Sequence, residues 1–126
     1  MAKIKLPAPK PVGVQHIELV LRGMGVPFVN EYHFMGDRKF RFDIAIPERK
    51  IAIEYEGMQV KQKVFNPVTK RYEFKTSKSG HQTNAGFTGD CEKYNNAVCM
   101  GWKLLRFTAW NYEDATKFLS VLMPDK

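Results

Sequence analysis

Residues 38–57, RKFRFDIAIPERKIAIEYEG, constrain this chain more than any other stretch. Phe40, Phe42, Ile44 and Ile46 alternate with Arg41, Asp43 and Ala45, the period-two pattern of a strand with one buried face, expected over 39–46. Pro47-Glu48-Arg49-Lys50 is a tight polar turn, and 51–56 is a second strand ended by Gly57. Folding the two into a hairpin sets Ala45 opposite about Ala52 and Asp43 opposite Glu54, with roughly 5 Å between their Cβ atoms. Glu54 and Glu56 then share one face, because side chains alternate along a strand. Like charges directly opposite one another are destabilising, so the arrangement calls for a neutraliser. A hard divalent cation is the simplest one, since Mg²⁺ takes carboxylate, water and phosphate oxygens.

The rest of the chain supplies what such a hairpin needs for a core. Ile17, Val20, Leu21 and Met24 recur at helical spacing, predicting a helix over 14–24 that Gly23, Gly25 and Pro27 stop. Residues 31–35 read as a strand paired with 39–46 through a Gly-Asp-Arg turn. Thr88 is placed to cap a helix over 89–100 that ends at Gly101, with residues 81–87 as loop. A strand follows at 102–108, and Asn111 opens a last amphipathic helix through Phe118, Leu119 and Leu122. Trp102 and Trp110 are both expected in the core. The order αβββ, insertion, αβα predicts a single α/β domain over 1–126, with a mixed central sheet flanked by helices. Residues 1–13, with three prolines, read as an irregular basic arm.

Composition narrows the partners. The chain of 126 residues carries 20 Lys and Arg against 13 Asp and Glu, a net charge of +7. Such an excess draws polyanions, nucleic acid before an anionic membrane surface. No stretch is apolar over the ~20 residues that a membrane span needs, and the basic N-terminus lacks the apolar segment of a secretory signal. Cys91 and Cys99, eight positions apart on one predicted helix, are too far apart to pair. Two reduced thiols fit a cytoplasmic protein. Residues 59–80 carry Lys61, Lys63, Lys70, Arg71, Lys75 and Lys78 against the single acid Glu73. They read as a projecting basic hairpin or an ordered loop, suited to tracking a phosphate backbone. Acids gathered at one point would repel that ligand unless a metal reversed the local sign.

Asp43, the Glu54-Tyr55-Glu56 step eleven residues later, Glu18 on the first helix, His81, and GDCEKYNNAVCMGWKLLRFT together resemble the PD-(D/E)XK nuclease superfamily. Within it the chain is similar to small phage and prophage endonucleases of the Vsr-like mismatch-nicking and Holliday-junction-resolving branches. The likeness covers roughly residues 14–110. It implies an αβββαβ restriction-endonuclease-like core and a DNA endonuclease dependent on Mg²⁺, with Mn²⁺ as a substitute. Asp43 and Glu54 match the metal ligands, the Tyr55 carbonyl would complete the site, and Glu18 resembles the first-helix glutamate. At position 56 the family's usual lysine is replaced by Glu. The resemblance therefore leaves the water-activating role to Glu56, to His81, or to Lys93 reaching in from the following helix. It also leaves open whether one or two metals bind. Structure-selective cleavage of branched DNA by a homodimer is the leading expectation. A strand-nicking monomer and a non-catalytic DNA-binding relative are the alternatives.

Overall fold

The central hairpin forms as the alternation requires, and its register is the expected one. In the computed structural model, which describes residues 9–57, 61–76 and 84–126, β2 (Arg41–Ile46) and β3 (Ile51–Tyr55) pair antiparallel, with Ala45 opposite Ala52 and Ile44 opposite Ile53. A single 3-10 turn at Pro47–Arg49 joins them, and Lys50 adopts a left-handed φ of 52° to redirect the chain. β1 (Val29–His33) adds antiparallel to the outer side of β2. β6 (Lys103–Phe107) adds parallel to β3, giving a four-stranded mixed sheet in the order β1-β2-β3-β6. A parallel neighbour needs a long crossover. That crossover contains the basic hairpin, β4 (Lys61–Asn66) and β5 (Arg71–Thr76), which forms its own two-stranded sheet, and then helix α2 (Asn84–Cys99).

Two apolar clusters sandwich the sheet. Ile44, Ile46, Ile51, Ile53 and Phe107 pack against Ile17 and Leu21 of α1 (Val12–Gly23) and Leu119 of α3 (Ala115–Leu122). Ala45 and Ala52 lie in the second cluster, with Phe42, Trp102 and Ala97 of α2. The small side chains at 45 and 52 let α2 approach closely on that side. No helix is long and apolar enough to cross a membrane among the described residues. Cys91 and Cys99 are unpaired and exposed.

Several expectations change. The alternation of 40–46 breaks at Asp43. Phe42 stacks on Phe34 at 4.1 Å and meets Trp102 at 5.0 Å in the α2-side cluster, while Ile44 and Ile46 lie in the other. The break coincides with the Asp43 carboxylate accepting the Tyr55 backbone N–H at 2.8 Å. Across the sheet, Glu31 in β1 takes a left-handed φ of 50° between two regular pairs, Asn30–Ile44 and Tyr32–Phe42. A non-glycine residue there costs about 1 kcal/mol or more. α2 begins at Asn84, so Thr88 lies inside it rather than capping it, and 84–87 are helix rather than loop. The glycines at 86 and 89 lower helix propensity, and side chains further along α2 that dock on the sheet override it. A 3-10 turn at Tyr112–Asp114 precedes α3, and Asn111 makes no side-chain cap there because its amide oxygen accepts the Thr108 N–H at 2.6 Å. Trp110 is exposed, not core.

Candidate active site

The acids expected to face one another meet at the carboxyl end of β3. The β2–β3 ladder ends at Ile44–Ile53, and Asp43, the next residue on β2, lies near enough for its charge to act on Glu54. Glu54 is 6% exposed. Its Oε1 pairs with Lys93 Nζ from α2, one turn before the buried Ala97. Lys93 in turn lies 5.7 Å from the centroids of both the Phe42 and Tyr94 rings. Burial pushes the Glu54 carboxyl up to about 8, Lys93 opposes the rise, and the neighbouring Asp43 charge adds to it. Asp43, Glu54 and Lys93 thus cluster at the end of β3, with Glu54 buried and keeping its proton near neutral pH.

Glu56, on the same face one step further, is committed differently. It accepts hydrogen bonds from Tyr94 Oη at 2.8 Å and from Arg106 Nε at 2.9 Å. Burial, together with Glu56 accepting its proton, raises the Tyr94 hydroxyl far above the ordinary tyrosine range, so it stays a donor. Burial opposes the Arg106 charge, but Glu56 outweighs it and holds the guanidinium above its usual value. Glu56 is therefore a paired acid that ties β3 to β6 and α2, while Lys93 takes the neighbouring Glu54.

Glu18 stands on the other side of the sheet. It is 3% exposed on α1, and its Oε1 accepts Lys10 Nζ and Asn30 Nδ2, each at 2.7 Å. Arg22 Nη2 lies 3.9 Å from the second oxygen. Burial raises this carboxyl, but the hydrogen bonds from Lys10 and Asn30 and the nearby charges hold it below the ordinary range. Asn30 also reaches the Asp43 carbonyl at 3.5 Å, connecting the two acidic centres. Between them lies a cleft of about 270 Å³ walled by Lys10, Val14, Asn30, Glu31, Asp43 and Tyr55. Strained Glu31 and distorted Asp43 both face it.

Gly13 lets α1 close this cleft. A Cβ there would overlap the Tyr55 ring, lying 2.9 Å from its Cδ2 and Cζ. Gly13→Ala is expected to displace the ring or the helix and to cost about 1–3 kcal/mol, read as a lower midpoint of thermal unfolding. A midpoint equal to wild type would show that the ring turns aside freely.

The residues present suit a Mg²⁺ ion of the kind held by one or two carboxylates, with water and phosphate oxygens completing the shell. Asp43 and Glu54 offer adjacent oxygens whose mutual repulsion a cation relieves. Among the described residues no three His, Cys, Asp or Glu side chains gather into a fuller metal cluster. Glu18 is bound by Lys10 and Asn30 instead of joining Asp43, and Tyr55 enters through its N–H to Asp43.

The raised Glu54 carboxyl gives a signed expectation. Below pH about 4.5 it is protonated whether the chain is folded or not. From there to about 8 the folded chain keeps a proton that the unfolded chain releases, so this residue lowers stability as pH rises through that window. The accumulated effect is a few kcal/mol at most. Urea titrations at stepped pH should show wild type losing more stability than Glu54→Gln across this range, with Mg²⁺ at pH 8 narrowing the gap. Parallel pH profiles for the two proteins would contradict the raised carboxyl.

The other expected residues fall as follows. Lys70 and Arg71 are exposed at the end of the β4–β5 hairpin, where Asn66 Oδ1 accepts the Val68 and Thr69 N–H groups and Lys70 has a φ of 54°. Lys61, Lys63 and Lys75 lie on its strands, with side chains outside the described residues, as are Lys78 and His81. The sequence reading missed Asn30, Tyr94 and Arg106. Arg106 had a signal, since a parallel β3–β6 pairing sets it opposite Glu54. Asn30 had none, because its role depends on how α1 crosses the sheet. No protein-family model, curated protein or solved structure matches the chain.

Proposed function

We propose that this chain is a metal-dependent DNA endonuclease with a restriction-endonuclease-like core of the PD-(D/E)XK type. The observation that carries the reading is the buried contact of Glu54 with both Asp43 and Lys93. An acid pair beside a lysine is the set that the resembled PD-(D/E)XK superfamily uses. The carboxylates of Asp43 and Glu54 would hold Mg²⁺, and the Tyr55 carbonyl would be a further oxygen at the same strand end. The ion, when bound, offsets charge on the phosphate and lowers the pKa of water. Lys93 would orient the attacking water and steady its developing charge, in the role that Glu56 cannot fill while Tyr94 and Arg106 hold it. Among the expected candidates, Lys93 is thus favoured over Glu56, and His81 remains a second donor to be tested.

Branched DNA is the proposed substrate, following the junction-resolving branch that the sequence resembles. Resolution of a four-way junction would use two copies, one for each opposed strand. The test is incubation of the pure protein with labelled linear, nicked, mismatched and four-way-junction DNA, with Mg²⁺ and with EDTA. Cleavage only with Mg²⁺, and fastest on branched DNA, is the expected result. Binding without cleavage under every metal condition would leave a non-catalytic DNA-binding protein.

The hairpin supplies the backbone contacts in this account. Each phosphate neutralised releases condensed counterion, so affinity falls with salt. Replacing Lys61, Lys63, Lys70 and Arg71 by Ala should weaken binding to every DNA shape. It should also flatten the plot of log affinity against log salt by up to ~0.9 per lost contact, without moving the cut sites. Parallel salt series for the two proteins would place the DNA path elsewhere.

A further inference from the structure

Trp110 is 85% exposed, whereas Trp102 is 7% exposed in the α2-side cluster. Burying a tryptophan is among the largest single gains available to a fold, so an exposed ring on an ordered turn is unusual. This turn is held from several directions. The Trp110 N–H donates to Thr108 Oγ1 at 3.1 Å, and the Thr108 N–H donates to Asn111 Oδ1 at 2.6 Å. The Tyr112 N–H donates to the Thr108 carbonyl at 3.1 Å. The Ala109 N–H donates to the carbonyl of Gly57, the residue that follows Glu56, at 3.3 Å.

The ring's backbone is therefore anchored to the strand end that carries Glu54 and Glu56. The parallel pairing of β3 and β6 brings both carboxyl ends to one edge, and Arg106 on β6 binds Glu56 there. A flat apolar side chain is thus left exposed on a turn whose backbone is tied to the residue that follows Glu56.

We propose that Trp110 is a stacking platform for an unpaired nucleobase on the strand bound at the candidate site. The inference rests on the endonuclease reading for the identity of the polyanion. A chain of net charge +7 favours a polyanion over a neutral sugar or an apolar peptide. The flat apolar face that a nucleic acid offers is a base, available only where pairing and stacking are broken. Stacking on an aromatic ring accepts any base, because every base has a π-face. The same ring would favour frays, forks and junctions over continuous duplex, supplying structure selectivity without reading sequence.

Tryptophan emission is the test, measured in EDTA so that no cleavage intervenes. The probes are a thymidine oligonucleotide, a matched blunt duplex and a forked duplex. The oligonucleotide and the fork are expected to quench wild-type emission. Trp110→Phe should lose that quenching, since the remaining Trp102 is buried, yet keep much of the affinity. Trp110→Ala should bind oligonucleotide and fork about tenfold more weakly, with duplex affinity and thermal midpoint unchanged. Equal quenching in Trp110→Phe would overturn the proposal. So would unchanged affinity in Trp110→Ala, or an equal loss on duplex and fork. Stacking without Mg²⁺-dependent cutting in a parallel assay would sink the endonuclease reading alone, and cutting without quenching would sink only the platform.

Discussion

Asp43→Asn and Glu54→Gln are each expected to abolish Mg²⁺-dependent cleavage while DNA binding survives or tightens. Asp43→Asn removes a negative charge from the candidate site, and Glu54→Gln removes one only above pH about 8, where that carboxyl ionises, so electrostatic repulsion of DNA is in neither case greater than in wild type. Each also removes a hard oxygen donor, and a cation held by two carboxylates and water does not tolerate the loss of one. Both substitutions nearly preserve volume and shape, and Asn at 43 keeps an oxygen to accept the Tyr55 N–H. Loss of cleavage with an unchanged unfolding midpoint would therefore report chemistry rather than folding. Cutting at the wild-type rate by either variant would remove the metal site from this account.

Lys93→Ala carries the second largest expected effect, a fall in cleavage rate of about 10²-fold or more, as for a group positioned for proton transfer. The ammonium pairs with Glu54 from a separate element, so its removal leaves Asp43 and Glu54 in place. Metal uptake should survive in Lys93→Ala, and this distinguishes it from the acid variants. A full cleavage rate in Lys93→Ala together with a large loss in His81→Ala would move the water-positioning role to the histidine.

How much of this was legible in the sequence depended on the range of the interaction. The register of the β2–β3 hairpin was legible, though not its ends at Arg41 and Tyr55, because apolar alternation on both strands and a four-residue turn leave one register that buries Ile44, Ile46, Ile51 and Ile53. That register points to Asp43 and Glu54 as the next pair, although the ladder itself ends at Ile44–Ile53. The break at Asp43, which sends Phe42 to the opposite cluster, did not follow. It arises where a side chain takes over a backbone ladder donor, and a binary pattern has no sign for that exchange. The start of α2 was misplaced because Gly86, Thr88 and Gly89 are poor helix formers, and the docking of Lys93, Tyr94 and Ala97 outweighs them. Pairing of Glu54 with Lys93 was readable only as one of several options. The pairing of Glu18 with Lys10 and Asn30 needed the crossing of α1 over the sheet. Trp110 reads as core by residue type, and only the hydrogen bonds of its turn explain why it stays outside.

The central claim is that Asp43 and Glu54 together hold a divalent cation, and direct binding of Mn²⁺ tests it most closely. The loss of the free-ion paramagnetic resonance signal should be followed at pH 8 as protein is added, with and without DNA. Wild type and Lys93→Ala are expected to take up Mn²⁺, and Asp43→Asn and Glu54→Gln are not. Equal uptake by all four proteins, or none by wild type with DNA present, would contradict it.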